Sequence, residues 1–175
     1  MKKSLRIPQL FGFALTSLGG TLLHFLYEWT GGSVLVAPFS GVNESTWEHM
    51  KLLFFPMLIF AVIEGLFFRE WQGFWWMKLY GILFGLMLIP VLFYTYNGVI
   101  GKSPDWINIS IFFISAALTY IFEVWLAERG RLPEGSKRIP QIILAAIALL
   151  FVVFTFVTPK INIFKDPITG GYGIE

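Results

Sequence analysis

The chain alternates between long apolar stretches and short polar connections. A helix needs roughly 20 mainly apolar residues to cross the hydrocarbon core of a bilayer. The sequence contains five stretches of this kind, at about 8–28, 45–68, 74–96, 104–127 and 139–158. The pattern predicts an all-α fold: a bundle of five transmembrane helices forming one membrane domain over 1–175, with a turn-rich tail at 159–175.

The composition supports a membrane protein. Hydrophobic residues make up 56% of the chain and charged residues only 14%, whereas roughly 25% of the residues in soluble domains are charged. The net charge of +2 is too small to predict a nucleic-acid partner. The chain has no cysteine, so disulfides, thiol nucleophiles and thiolate metal sites are excluded. The predicted partner is the lipid bilayer.

The basic residues predict how the bundle is oriented. Successive connections lie on alternate sides of a membrane, and most lysines and arginines fall on the side of the N-terminus. Cytoplasmic connections are the ones enriched in these residues. We therefore expect a cytoplasmic N-terminus and an outside C-terminus. The connections 29–44 and 97–103 and the tail would then face outward.

The segment 43–51, with the sequence NESTWEHMK, is the densest polar region, and it leads directly into the second apolar stretch. It contains His49, and the second histidine of the chain, His24, lies near the end of the first stretch. Both lie about one turn inside the predicted outer ends of their helices. Because consecutive helices usually pack side by side, we expect the two imidazoles to face each other near the outer surface.

This pattern predicts a metal site. Imidazole and carboxylate groups are what zinc and related divalent ions bind when no thiolate is present. The predicted metal ligands are His24, Glu28, Glu48 and His49. Glu44 would be the general base acting on a metal-bound water, which is an arrangement found in hydrolases. Lys51 and Tyr94 are candidates for stabilising an anionic intermediate.

The same segment also has a purely structural interpretation. Ser45 followed by Glu48 is a capping box, in which the two side chains cap the start of a helix. Glu48 and Lys51 are three residues apart and can form an ion pair. A carboxylate such as Glu44 is favourable near a helix N-terminus. These contacts would account for the polar residues without any metal.

Polar side chains recur at intervals of three, four or seven residues in the first and fourth stretches. Such spacing places them on one face of each helix, and intramembrane polar faces usually point into the bundle. The predicted pocket-lining residues are Ser17, Thr21, Asn43, Asp105, Asn108, Ser115 and Thr119.

Glu64 and Glu123 lie near the predicted cytoplasmic ends of their helices. One interpretation makes them the inner station of a proton or cation path that begins at the histidines. In the other interpretation they extend to the interface, with Glu64 reaching toward Arg69 or Lys78. The sequence leaves both open.

Gly81 and Gly85 form a GxxxG match in the third stretch. Small residues at this spacing allow two helices to approach closely. The contact could lie within one chain or join copies into a homo-oligomer.

Three blocks carry a family resemblance: HFLYEW at 24–29, VNESTWEHMK at 42–51 and FKDPITGGYGI at 164–174. Together they resemble a family of small bacterial membrane proteins of unknown function, over the whole chain. The resemblance implies a multi-helix fold in the bacterial cytoplasmic membrane, and it implies no reaction.

Three functional hypotheses follow, and they leave open whether the protein is an enzyme. The first is an outward-facing divalent-cation site, with zinc as the candidate cofactor, that could support hydrolysis of a lipid or envelope substrate. The second is a small cation or proton transporter or channel. The third is a non-catalytic membrane scaffold in which the polar residues only cap and lock helices.

Overall fold

The computed structural model describes residues 5–129, 132–133 and 135–174, and the side chain of Asp105 lies outside the described part. Its elements are α1 (Arg6–Trp29), α2 (Thr46–Phe67), α3 (Phe74–Val99), α4 (Asp105–Arg129), α5 (Arg138–Phe156) and a 3-10 turn at Asn162–Phe164. All five α-helices are long and apolar enough to cross a membrane. The predicted all-α fold with five membrane-length helices is confirmed.

α2 runs through the middle of the bundle and contacts the other four helices. Residues 51–57 of α2 are all buried, as expected for a helix that is apolar on every side. The core combines side chains from α2 to α5, among them Leu53, Phe54, Ile82, Ala116 and Phe151. α1 and α5 lie at the periphery and present exposed apolar residues such as Phe11 and Ile142, a surface suited to lipid.

α3 packs closely against α4 through two glycines. A Cβ atom on Gly81 would lie 2.5 Å from Glu123 Oε1, and one on Gly85 would lie 2.4 Å from Thr119 Oγ1. The GxxxG surface is therefore filled by α4 of the same chain. Association of copies through these glycines stays an untested prediction, and it would require this intrachain contact to open.

The connection between α1 and α2 folds back onto the end of α1. The Ser40 hydroxyl donates to the Leu23 carbonyl and accepts a hydrogen bond from the Tyr27 backbone N–H at 2.8 Å. The Gly41 N–H also bonds the Leu23 carbonyl, at 3.3 Å. These bonds hold the segment just before α2 close to the end of α1.

The C-terminal tail packs against the start of α2. The Phe164 ring lies 4.6 Å from the Trp47 ring and 5.6 Å from the Phe154 ring, measured between centroids. The Asn43 side-chain amide donates to the Gly173 carbonyl at 2.9 Å. The tail thus covers the beginning of α2.

Candidate metal centre

The first turn of α2 is fixed by two side-chain caps. Ser45 has an extended backbone, with φ −67° and ψ 154°, and its hydroxyl accepts a hydrogen bond from the Glu48 N–H. Asn43 Oδ1 in turn accepts from the Ser45 N–H at 2.9 Å. These caps satisfy helix-start donors that would otherwise lack partners. They also place Glu44 just before the helix and His49 one turn inside it.

α1 comes close enough to bring the second histidine to this place. A Cβ atom on Gly20 would lie 2.3 Å from Phe112 Cζ and 3.0 Å from the Leu52 carbonyl oxygen. The glycine therefore permits the close contact of α1 with α4 and α2. One turn further along α1, His24 lies beside His49, with the ring centroids 5.9 Å apart.

Glu44 lies between the two imidazoles. Its Oε1 is 3.6 Å from His24 Nε2, and its Oε2 is 3.6 Å from His49 Nε2. One ligand atom from each residue can be chosen so that all three lie within 4.8 Å of one another. Three convergent ligand atoms of these types could hold a divalent metal ion.

The imidazole of His49 is held with its Nε2 available. Its Nδ1 lies 3.0 Å from the Ser45 carbonyl oxygen. A carbonyl only accepts, so Nδ1 is the donor in this bond, and in the neutral imidazole Nε2 then carries the lone pair. Metal-binding histidines commonly have such an outer hydrogen bond, which fixes both tautomer and ring orientation.

The three side chains are partly open to their surroundings. The exposed fractions are 31% for His24, 16% for His49 and 37% for Glu44. Both histidines also line a groove of about 180 Å³ between α1, α2 and α4. The rest of this groove is mainly apolar, formed by Gly20, Thr21, Phe25, Leu52, Ile109, Phe112 and Phe113.

The sequence profile of one family matches residues 3–174. The chain belongs to the family of unknown function DUF6512. No curated protein and no solved structure matches it. The match covers α1 to α5 and the described tail together, so the histidine–glutamate group lies within the DUF6512 region. The resemblance to an uncharacterised family is confirmed, and it assigns no activity to the group.

Two predicted ligands of this DUF6512 protein lie elsewhere. Glu28 is exposed and lies outside the group of three. Glu48 is buried and forms an ion pair with Lys51, with 2.6 Å between Oε2 and Nζ. Glu48 Oε2 also accepts from the Val42 N–H at 3.0 Å. Its position in the first turn of α2 directs it to Lys51 within the same helix, as the capping interpretation expects.

The residues proposed to stabilise an anion are also apart from the histidines. Lys51 is fully buried, and its Nζ donates to the Ala37 carbonyl at 2.8 Å and to Thr155 Oγ1 at 3.2 Å. It therefore joins α2 to the loop and to α5. The Tyr94 ring packs against Phe93 on α3 and is 42% exposed. The structure gives Lys51 a packing role and brings neither residue into the group of three.

Of the predicted pocket residues, Thr21 and Asn108 line cavities that a histidine also lines. Thr21 lines the groove, and Asn108 lines a small cavity of about 10 Å³ on another side of His49. Asn43 binds the tail instead. The other described members, Ser17, Ser115 and Thr119, lie deeper in the bundle. The Thr119 hydroxyl donates to the Ser115 carbonyl of its own helix at 2.7 Å, and the Asp105 side chain is outside the described residues.

Glu64 and Glu123 belong to a separate buried cluster at the opposite end of the bundle. We call it the Lys78 cluster; it consists of Gln9, Glu64, Lys78 and Glu123, one residue from each of α1 to α4. Lys78 Nζ lies 2.6 Å from Glu64 Oε2 and 2.6 Å from Glu123 Oε2. Gln9 Oε1 accepts from Lys78 at 3.2 Å, while Gln9 Nε2 donates to Glu64 Oε1 at 2.9 Å.

Sequence reasoning missed the part that Gln9 plays and foresaw Lys78 only as an interfacial partner of Glu64. Both carboxylates are buried rather than extended to an interface, with exposures of 3% for Glu64 and 0% for Glu123. A usable signal was present. Gln9 and Lys78 are isolated polar residues in apolar stretches, at the same end of the bundle as the two glutamates.

The tail contacts the backbone of Glu44, and this contact gives a test of the candidate metal centre. Asp166 Oδ1 accepts from the Ile168 N–H at 2.6 Å, which closes the tail turn, and Oδ2 accepts from the Glu44 N–H at 3.4 Å. We expect Asp166→Ala to weaken metal affinity about 10-fold, the lower limit for loss of an outer-shell contact. Isothermal titration calorimetry with Zn²⁺ measures the affinity of each variant. Ile168→Ala, an exposed change in the same tail, is the control and should leave affinity unchanged.

Proposed function

We propose that His24, Glu44 and His49 bind one divalent metal ion and that zinc is the ion they suit best. The observation that carries the proposal is the convergence of two imidazole nitrogens and a carboxylate within 4.8 Å. Tetrahedral ligands placed about 2.0–2.1 Å from zinc are separated by about 3.3 Å. Glu44 Oε1 lies 3.6 Å from His24 Nε2 and Glu44 Oε2 lies 3.6 Å from His49 Nε2, each close to that spacing. Taken one per residue, the three ligand atoms lie within 4.8 Å of one another, so the group would contract slightly around a bound ion.

Three protein ligands leave a fourth position for water or substrate, which is the arrangement of catalytic rather than structural zinc sites. A bound zinc ion would supply an activated water and polarise a carbonyl or phosphoryl oxygen. We assign Glu44 to metal binding rather than to the role of general base, because its two oxygens face the two imidazoles. The contact with Ser45 fixes the His49 ring, so Nε2 would point toward the metal in a defined direction.

The mainly apolar groove supports a lipid or envelope substrate for this site. His24 and His49 lie at the boundary between the metal centre and the groove. The other lining residues, such as Phe25 and Ile109, would contact a hydrocarbon chain favourably. We therefore propose metal-assisted hydrolysis of an amphipathic lipid as the reaction class.

The distribution of basic residues supports a location in the bacterial cytoplasmic membrane, with the N-terminus inside and the metal centre near the outer surface. Because the chain lacks cysteine, a single cysteine introduced at Lys102 can report the orientation. Labelling by a membrane-impermeant maleimide from outside intact cells is the expected result. Labelling only after lysis would show that the protein has the opposite orientation in the membrane.

The metal proposal predicts which side chains hold the ion. We expect the detergent-purified protein to carry about one metal ion per chain, and His24→Ala, His49→Ala and Glu44→Gln each to lose most of it, since three ligands are needed for tight binding. Inductively coupled plasma mass spectrometry measures the content. Glu28→Gln is the matched control, because it removes a nearby carboxylate outside the group of three.

The control also separates ligand loss from general damage. Circular dichroism should show that all four variants keep the helical content of the parent. If the folded parent protein neither contains metal nor takes up added Zn²⁺, the proposal is wrong. Equal metal loss in Glu28→Gln would show that the ligand set has been assigned incorrectly.

A further inference from the structure

The Lys78 cluster contains more negative than positive groups. Lys78 Nζ is 2.6 Å from one oxygen of Glu64 and 2.6 Å from one oxygen of Glu123. The exposed fractions of the three side chains are 1%, 3% and 0%. With all three ionised, one ammonium faces two carboxylates and the cluster carries one uncompensated negative charge. Such a charge is strongly disfavoured away from water.

Within the part of the chain that the structure describes, the surroundings of the cluster supply no second cation. α1 contributes the neutral amide of Gln9, and α4 contributes Tyr120, whose hydroxyl is 2.7 Å from Thr16 Oγ1. The Lys78 ammonium lies over the rings of Phe60, Phe74 and Tyr120, at 5.3 to 5.7 Å from their centroids. Residues 139–156 of α5 include no charged residue. Among the described contacts, Lys78 is therefore the one positive group facing these two carboxylates.

The packing favours a proton over a metal cation as the compensating charge. Lys78 Nζ already occupies the position where both carboxylates and Gln9 Oε1 converge. Glu123 Oε1 is buried and accepts no hydrogen bond from the described residues. It lies against the backbone of Gly81, where even a Cβ atom would be only 2.5 Å away. A coordinated cation needs a cage of several oxygens, whereas a proton needs no added volume.

The two carboxylates differ in what their oxygens face. Glu64 accepts the Gln9 amide at Oε1, and its Oε2 lies 2.6 Å from the ammonium without accepting a hydrogen bond. Glu123 accepts a hydrogen bond from the ammonium at Oε2, and its Oε1 accepts none from the described residues. Both oxygens of Glu64 thus face a donor or a cation, whereas Glu123 Oε1 faces neither, and the Glu123 side chain is the more buried, at 0% against 3% exposure. Burial without a partner disfavours the charged form of a carboxylate, so Glu123 is the group to be neutralised.

We propose that the Lys78 cluster is a proton-binding site in which Glu123 carries one proton at Oε1. The bound proton makes the cluster neutral, with a Glu64–Lys78 ion pair and a neutral carboxylic acid at position 123. This site is independent of the metal centre and lies at the other end of the bundle. It gives the protein a second bound species, an exchangeable proton buried among four helices.

Infrared difference spectroscopy can detect that proton directly. In protein reconstituted into liposomes at pH 7, we expect the carbonyl stretch of a protonated carboxylic acid, at about one per chain. Glu123→Gln should remove it. Glu64→Gln should remove it as well, because Lys78 would then have Glu123 as its single carboxylate partner and Glu123 would ionise.

The control is Glu128→Gln, which removes an exposed carboxylate that pairs with Arg6 at 2.8 Å. This variant should keep the full band. The proposal fails if the parent protein shows no such band or if the band survives Glu123→Gln. It also fails if Glu123→Gln does not fold, because a glutamine has the shape and neutrality of the protonated acid and should be accepted.

Discussion

Lys78→Met is expected to lower the free energy of unfolding by about 3–5 kcal/mol, the range found when one partner of a buried ion pair is removed. The substitution keeps the length and apolar stem of the side chain but removes the cation that faces Glu64. The Glu64 carboxylate, whose side chain is only 3% exposed, is then left without a counter-charge. The remaining donor to Glu64, the Gln9 amide, cannot balance a full charge. Unfolding in mixed detergent micelles, followed by circular dichroism, measures the change.

Two further variants test the cause of this loss. Lys160→Met removes an exposed lysine and should change the free energy of unfolding by no more than about 0.5 kcal/mol. Adding Glu64→Gln to Lys78→Met should restore much of the stability, since the unpaired charge is then gone. If Lys78→Met is as stable as the parent, the ion pairs of the Lys78 cluster do not contribute to the stability of the bundle.

Lys51→Met should have a similar effect at the other end of the bundle. It leaves Glu48 buried with the Val42 N–H as its described partner, and it removes the bonds that link α2 to Ala37 and Thr155. We expect a loss of about 3–5 kcal/mol in the free energy of unfolding, again from an uncompensated buried charge.

A double-mutant cycle isolates the pair. Lys51→Met combined with Glu48→Gln should be more stable than Lys51→Met alone, with a coupling energy of about 0.5–3 kcal/mol. Metal content should stay unchanged in every variant that folds, because both residues lie outside the group of three. Loss of metal from a folded Lys51→Met protein would show that Lys51 contributes to metal binding after all.

The sequence was sufficient to predict five helices and the meeting of His24 with His49. Both follow from apolar length and from depth along neighbouring helices. The position of Glu44 between the two imidazoles was not predictable, because it depends on how the loop before α2 folds back on α1 through Ser40. A residue outside regular structure has no helical period to fix its direction.

The assignment of Glu48 shows a different difficulty. The position of Glu48 in the sequence suited both a metal ligand and a helix cap. Helical periodicity predicts the face on which a residue lies, and it cannot tell which of two partners near that face the side chain contacts. The contact with Lys51 decides in favour of the ion pair. The Lys78 cluster was harder still, because Gln9 bonds residues 55 and 69 positions away in the chain. Only the packing of four helices brings these groups together.

The position of the ion pairs along the chain bears on how the protein enters a bilayer. Glu48 and Lys51 lie on one turn of α2, and Glu64 and Lys78 flank the short turn between α2 and α3. A helical hairpin made of α2 and α3 thus carries both of its buried carboxylates already matched to cations. Glu123 lies on α4 and adds a second carboxylate to an ammonium that already faces Glu64. We therefore expect the α2–α3 hairpin to be the charge-balanced unit if the chain enters a bilayer, with α4 packing onto it afterwards.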